Sequence, residues 1–177
     1  MKTKHWMKWL AGGVVLLVLI ATNLSVYQKE QLLKNGAVVI LELAPVDPRS
    51  LMQGDYMALR YAITQSLQQQ LQAQNDACHD SGAACVPASG TVIVELDAQR
   101  RAVRAEFDHG QILRAQDVVM KYHFSEHGLN IGTRSYFFQE GHAERFAGAR
   151  YGEFRVDKEG TALLTYLLDA KGKRILP

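Results

Sequence analysis

The sequence lacks a strong charge of either sign. Its 20 Lys and Arg residues nearly balance 18 Asp and Glu, for a net charge of +2. That argues against a nucleic-acid partner, which calls for a clustered basic excess. It has one long apolar run where a multi-pass membrane protein needs several. It is not poor in apolar residues, at 47% hydrophobic, so it is not a disordered chain. There is no internal repeat and no long low-complexity linker. Gly-x-Ser-x-Gly, a phosphate-binding glycine loop and a dinucleotide fingerprint are all missing, which removes the commonest motif-bearing enzyme classes. Cysteine occurs only at Cys78 and Cys85.

The one apolar run lies at the start. Residues 1–28 contain Lys2, Lys4 and Lys8 and no acid, and Trp9 to Gln28 is uncharged. Twenty helical residues span roughly 30 Å, one hydrocarbon thickness. Trp6 and Trp9 at one end and Tyr27 at the other suit the two interfaces. A cleaved signal should end in a small-x-small site. Ala21-Thr22-Asn23 and Asn23-Leu24-Ser25 match that poorly. The reading adopted is therefore an uncleaved transmembrane signal anchor. A cleaved signal and a buried soluble helix are the alternatives. Lysines ahead of the run put the N-terminus in the cytoplasm. The remainder, residues 29–177, then lies in the periplasm of a Gram-negative cell, with the chain a single-pass inner-membrane protein. Once the three lysines are set aside, 17 basic and 18 acidic residues remain, so the basic bias belongs to the anchor.

Residues 29–177 have the size of one domain, with Gln28–Lys34 joining it to the anchor. The cysteines sit in Cys78-His-Asp-Ser-Gly-Ala-Ala-Cys85. In an oxidising compartment such a pair closes, restricting the unfolded chain by roughly 2–3 kcal/mol. A redox site favours a two-residue spacing, and a metal needs more ligands than His79 supplies, so a structural disulfide is expected.

Hydrophobic periodicity predicts an α+β domain: strand-rich, mostly antiparallel, with two short helices. Val38–Leu43 reads as a strand. Tyr56–Ile63 reads as another, with Met57, Leu59, Tyr61 and Ile63 on one face. Thr64–Asn75, with six glutamines and with Leu67 and Leu71 four apart, reads as a helix with a narrow apolar edge. Thr91–Asp97 and Ala102–Phe107 form a hairpin. Its expected register sets Val92, Val94 and Leu96 against Phe107, Ala105 and Val103, and Glu95 against Arg104 as an ion pair. Val118–Phe124 alternates with Met120 and Tyr122 inward and Lys121 and His123 outward. Glu140–Arg150 reads as a short helix. Phe154–Val156 and Thr161–Leu168 are joined by Asp157-Lys-Glu-Gly160, and Asp169-Ala-Lys-Gly172 turns into a last short strand.

Gly54-Asp-Tyr-Met-Ala-Leu-Arg-Tyr61 has the spacing Gly-Asp-Tyr-x-x-Leu-x-Tyr, and Gly132-Thr-Arg-Ser-Tyr-Phe-Phe-Gln-Glu-Gly141 forms a second block. In that order behind an anchor, the two blocks resemble the GDYxxLxY family of bacterial membrane-anchored proteins. The resemblance implies a protein of unknown biochemical activity, often encoded beside multi-pass membrane proteins. It brings no catalytic residues and no cofactor. The residues themselves read first as fold determinants. Gly54 supplies an unusual backbone conformation, Asp55 caps a turn, and Leu59 and Tyr61 enter the core. Tyr56 points the other way. The second block, with Gly132 and Ser135 among its fixed positions, reads as a strand carrying Tyr136 and Phe137 into a helix capped near Glu140 and Gly141. Tyr56, Tyr136 and Glu140 are the residues expected on a functional surface.

Two further chemistries have candidate residues. His123 and His127 are four apart, which suits a metal on a helix but is roughly 13 Å on a strand, so no metal is expected. Ser50 with Lys121 is a candidate nucleophile–base dyad, reached by a distant likeness to signal peptidases. A non-enzymatic accessory or binding subunit, partnered by an integral membrane protein, is the leading functional expectation. An envelope hydrolase and a small-ligand or metal sensor follow it.

Overall fold

The computed structural model describes residues 3–44, 52–53, 56–81, 86–125 and 128–176. Gly54, Asp55, Ser50, Cys85 and His127 lie outside the described residues, as does the side chain of Cys78. The expected turn at Gly54-Asp55, the disulfide, the Ser50 dyad and the His123–His127 pair therefore fall outside it too.

The chain forms two compact units, Met1–Asn35 and Gly36–Pro177. The first is one helix, α1 (Thr3–Asn35), which continues through the expected connector. Lys8–Asn35 holds a stretch long and apolar enough to cross a membrane, a property shared by single-pass anchors and signal sequences. From Leu10 to Tyr27 its apolar side chains are exposed all round, Leu17 at 67% and Val15 at 59%. Its polar members bond inward: Thr22 Oγ1 donates to the Val18 carbonyl and Asn23 Nδ2 to the Leu19 carbonyl, at 2.8 and 2.9 Å. Donors satisfied within the helix are what hydrocarbon requires.

The second unit contains β1 (Ala37–Glu42), β2 (Met52–Gln53), β3 (Tyr56–Ala58), α2 (Ala62–Ser81), β4 (Ser89–Leu96), β5 (Ala102–Phe107) and β6 (Asp117–Ser125). It continues with β7 (Gly128–Ile131), β8 (Ser135–Phe137), α3 (Ala143–Phe146), β9 (Tyr151–Val156), β10 (Ala162–Leu168) and β11 (Arg174–Ile175). The strands form three sheets, ordered β1-β9-β10-β11, β2-β3-β8 and β5-β4-β6-β7, and every pairing within them is antiparallel. One hydrophobic core joins all three. It takes Val39 and Leu41 from β1, Phe154 and Val156 from β9, Val92 and Val94 from β4, Met57 from β3, and Leu67 from α2. The strand-rich antiparallel α+β class read from the sequence is the class of this unit.

Three hairpins share one five-residue turn. In Asp97–Arg101, Asp157–Thr161 and Asp169–Lys173 the leading aspartate's N–H donates to the fifth residue's carbonyl. Its carboxylate in turn accepts from the fifth residue's N–H, at 2.7 to 2.9 Å. The fourth residue has positive φ: Gly160 at 82°, Gly172 at 77°, and Arg100 at 64°. Glycine adopts that conformation freely and arginine does not. Arg100→Gly is therefore expected to stabilise the fold by about 0.5–1 kcal/mol. A higher urea midpoint would register it, and an unchanged or lower one would refute it. Gly160 has a second constraint. Its carbonyl accepts from Lys121 N at 2.8 Å, and a Cβ there would lie 3.1 Å from that nitrogen.

Several expectations are corrected. The first turn also inserts a bulge: Glu95 pairs with Arg104 but Leu96 pairs with Ala102, so Val103 is the extra residue and is 62% exposed rather than inward. The strand expected over Tyr56–Ile63 ends at Ala58, and α2 begins at Ala62 and runs to Ser81. β7 was not anticipated. The helix expected over Glu140–Arg150 is the single turn α3, whose N-cap is His142 rather than Glu140 or Gly141.

Candidate functional site

The two sequence blocks, more than seventy residues apart, form one ladder. Tyr56 pairs with Phe137, Met57 with Tyr136, and Ala58 with Ser135. Past the strand, Leu59 N donates to the Arg134 carbonyl at 2.7 Å. Alternation then divides the first block. Met57, Leu59 and Tyr61 are buried in the core, while Tyr56 and Arg60 take the opposite direction.

Tyr61 holds the junction. Its hydroxyl donates to the Thr133 carbonyl of the second block at 2.7 Å, and its ring meets Phe154 edge-on at 5.5 Å. Its own carbonyl accepts from both Thr64 N and Thr64 Oγ1, which turns the chain into α2. Burial without a balancing charge pushes the Tyr61 phenol well above its ordinary pKa. Gly132 occupies positive φ, 70°, directly over the Phe154 ring. On the next strand, Tyr136 packs at 5.1 Å from Phe146, and the same burial raises its pKa. Phe137 is 75% exposed and lies 5.8 Å from Tyr56.

Beside this ladder lies an open cleft of about 620 Å³. The side chains that define its chemistry are Tyr56, Arg60, Gln65, Gln68, Asn130 and Arg134. No described lining residue is a carboxylate, a histidine or a lysine. Neither Arg60 nor Arg134 pairs with a described carboxylate. Arg134 Nη1 donates to Ser125 Oγ at 2.9 Å, which orients it. Gln65 and Gln68 extend from the first turns of α2.

Of the three residues expected on a functional surface, Tyr56 lines this cleft. Tyr136 is half-buried against Phe146, and Glu140 is exposed in the turn before α3. Arg60, Arg134, Gln65, Gln68 and Asn130 were not singled out in the sequence. Arg60 shares Tyr56's side of the alternation and Arg134 lies inside the second block, and that was the available signal.

Elsewhere, Lys121 Nζ donates to Thr161 Oγ1 at 3.1 Å. Glu95 faces Arg104 across the hairpin, but its ion pair is with Arg114 at 3.6 Å; Arg104 pairs with Glu106 along its own strand. The cross-strand ion pair is thus replaced by two others, because Arg114 reaches Glu95 from the β5–β6 connection. Among the described residues, no three His, Cys, Asp or Glu side chains group as metal ligands.

A long apolar helix followed by a strand-rich domain, with two motif blocks meeting in one ladder, defines a class of α+β proteins built on a candidate single-pass anchor. The GDYXXLXY protein family matches residues 18–167, and the chain belongs to that family. No curated protein and no solved structure matches it.

Proposed function

We propose that the protein is a non-enzymatic accessory or binding subunit of a membrane assembly, held in the inner membrane by α1, with its domain in the periplasm. The observation that carries this reading is the convergence of both blocks on one open cleft. The cleft offers aromatic rings, amides and guanidinium groups for recognition. Among its described lining residues it has no base to activate a nucleophile. The lysines before the apolar run support the orientation. Its docking partner is an integral membrane protein, in keeping with what the sequence resemblance implies.

Affinity capture of the tagged full chain from solubilised native membranes is expected to recover one integral membrane protein in near-equal amount. Recovery of none would overturn the reading. The compartment has its own check. In the periplasm Cys78 and Cys85 form a disulfide. A thiol-reactive polymer should then add to neither before reduction and to both afterwards. Full labelling without reduction would contradict the periplasmic placement.

A further inference from the structure

We infer that the cleft beside the two-block ladder recognises an acidic peptide segment of the partner, with Arg60 and Arg134 taking its carboxylates. This rests on the binding-subunit reading and specifies its ligand. Two guanidinium groups line one cleft, and neither has a described carboxylate as its counter-ion. In a domain whose charges nearly balance, two cations that line one cleft and pair with no acid among the described residues form a local positive field. Guanidinium forks suit carboxylates, with which they form bidentate charge-assisted bonds.

The remaining lining distinguishes a peptide from a free anion. Gln65 and Gln68 each present a donor and an acceptor, the pattern a peptide backbone complements. Neither amide has a hydrogen-bond partner among the described residues. Tyr56 lines the cleft, and the largely exposed Phe137 ring 5.8 Å from it adds apolar area. A small inorganic anion would engage the cations and leave the amides and rings unused. A volume of about 620 Å³ also exceeds what one such ion fills. A peptide bearing two or more acidic side chains engages all three kinds of group.

The test uses the full chain in neutral detergent micelles and a fluorescent hexaglutamate peptide, blocked at both ends, with hexaglutamine as comparator. The acidic peptide should bind, weaken with added salt, and exceed hexaglutamine by at least about tenfold. Arg60→Gln, on an exposed side chain, should weaken it about tenfold, and the Arg60→Gln/Arg134→Gln double variant further. Lys171→Gln/Lys173→Gln removes the same charge from a turn that does not line the cleft and should leave binding within about twofold. Equal binding of both peptides, or equal losses from the two double variants, would overturn the inference. So would displacement by inorganic phosphate at the peptide's own concentration, or binding of phosphatidylglycerol vesicles in place of the peptide. A membrane partner captured equally by wild type and Arg60→Gln would retain the binding-subunit reading and remove this one.

Discussion

Gly132→Val is expected to cost the domain about 2–5 kcal/mol of stability, one of the largest losses a single substitution here should produce. Two costs combine there. At φ 70° a β-branched residue is strained by about 1–2 kcal/mol. A Cβ would also lie 2.7 Å from Cε1 of Phe154 and 3.0 Å from its Cζ. That ring cannot retreat, because it is fully buried and wedged against Tyr61. Overpacking of this kind costs about 1–3 kcal/mol. The total, about 2–5 kcal/mol, is a large share of a typical domain's stability. Gly132→Ala has the same first clash with less bulk, and should lose about 2–4 kcal/mol. Thermal or urea midpoints measure both. A Gly132→Val midpoint within about 2 °C of wild type would show that the close approach is not as described.

Tyr61→Ala should destabilise at least as much, by about 3–5 kcal/mol, since a fully packed aromatic ring is replaced by a cavity. Tyr61→Phe isolates the hydroxyl. It keeps the ring and strands the Thr133 carbonyl, for a loss of about 1–2 kcal/mol. The two variants also separate a pH effect. Burial raises the Tyr61 pKa in the folded state, while the unfolded phenol ionises near pH 10. Below that pH both states are protonated, and the full stability is present. Above it the unfolded state gives up its proton and the folded state does not. Stability then falls as pH rises, by up to about 1.4 kcal/mol per unit for this group. Tyr61→Phe should flatten the decline between pH 9 and pH 11. Some slope should persist, because burial also raises Tyr122 and Tyr136. Identical slopes for wild type and Tyr61→Phe would contradict the assignment.

The hairpins were legible because alternation and turn chemistry agree. Asp157 to Gly160 states its turn residue by residue, and β9 and β10 flank it where expected. The same chemistry at Asp97 was harder to read, since Arg100 stands where the other turns have glycine. The bulge at Val103 followed unseen, and the register slipped by one residue beyond Glu95. At residues 56–63 the apolar alternation ran ahead of the backbone. Leu59 and Tyr61 are inward as expected, but β8 gives β3 no strand partner past Ser135, and Thr64 takes the Tyr61 carbonyl. Ile63 falls on an inward position whether the chain is extended or helical, so the pattern did not reveal the change.

The site divides in the same way. Leu59 and Tyr61 were legible as core anchors because burial leaves a periodic trace. The cleft was not, because a cation gains its meaning from neighbours distant in sequence. Arg60 and Arg134 are ordinary surface residues until β3 and β8 pair. Gln65 and Gln68 read as a solvated helix face, and they become cleft lining only because α2 starts at the end of the ladder.

The central claim is that the two blocks build one partner-facing surface. It is tested most directly by a photo-crosslinking residue placed at Gln65 in the cleft, and separately at Lys171 in a turn outside it, in cells that carry the native membrane. The account predicts one discrete adduct with an integral membrane protein from position 65 and none from position 171. No adduct from position 65, or the same adduct from both positions, would contradict it.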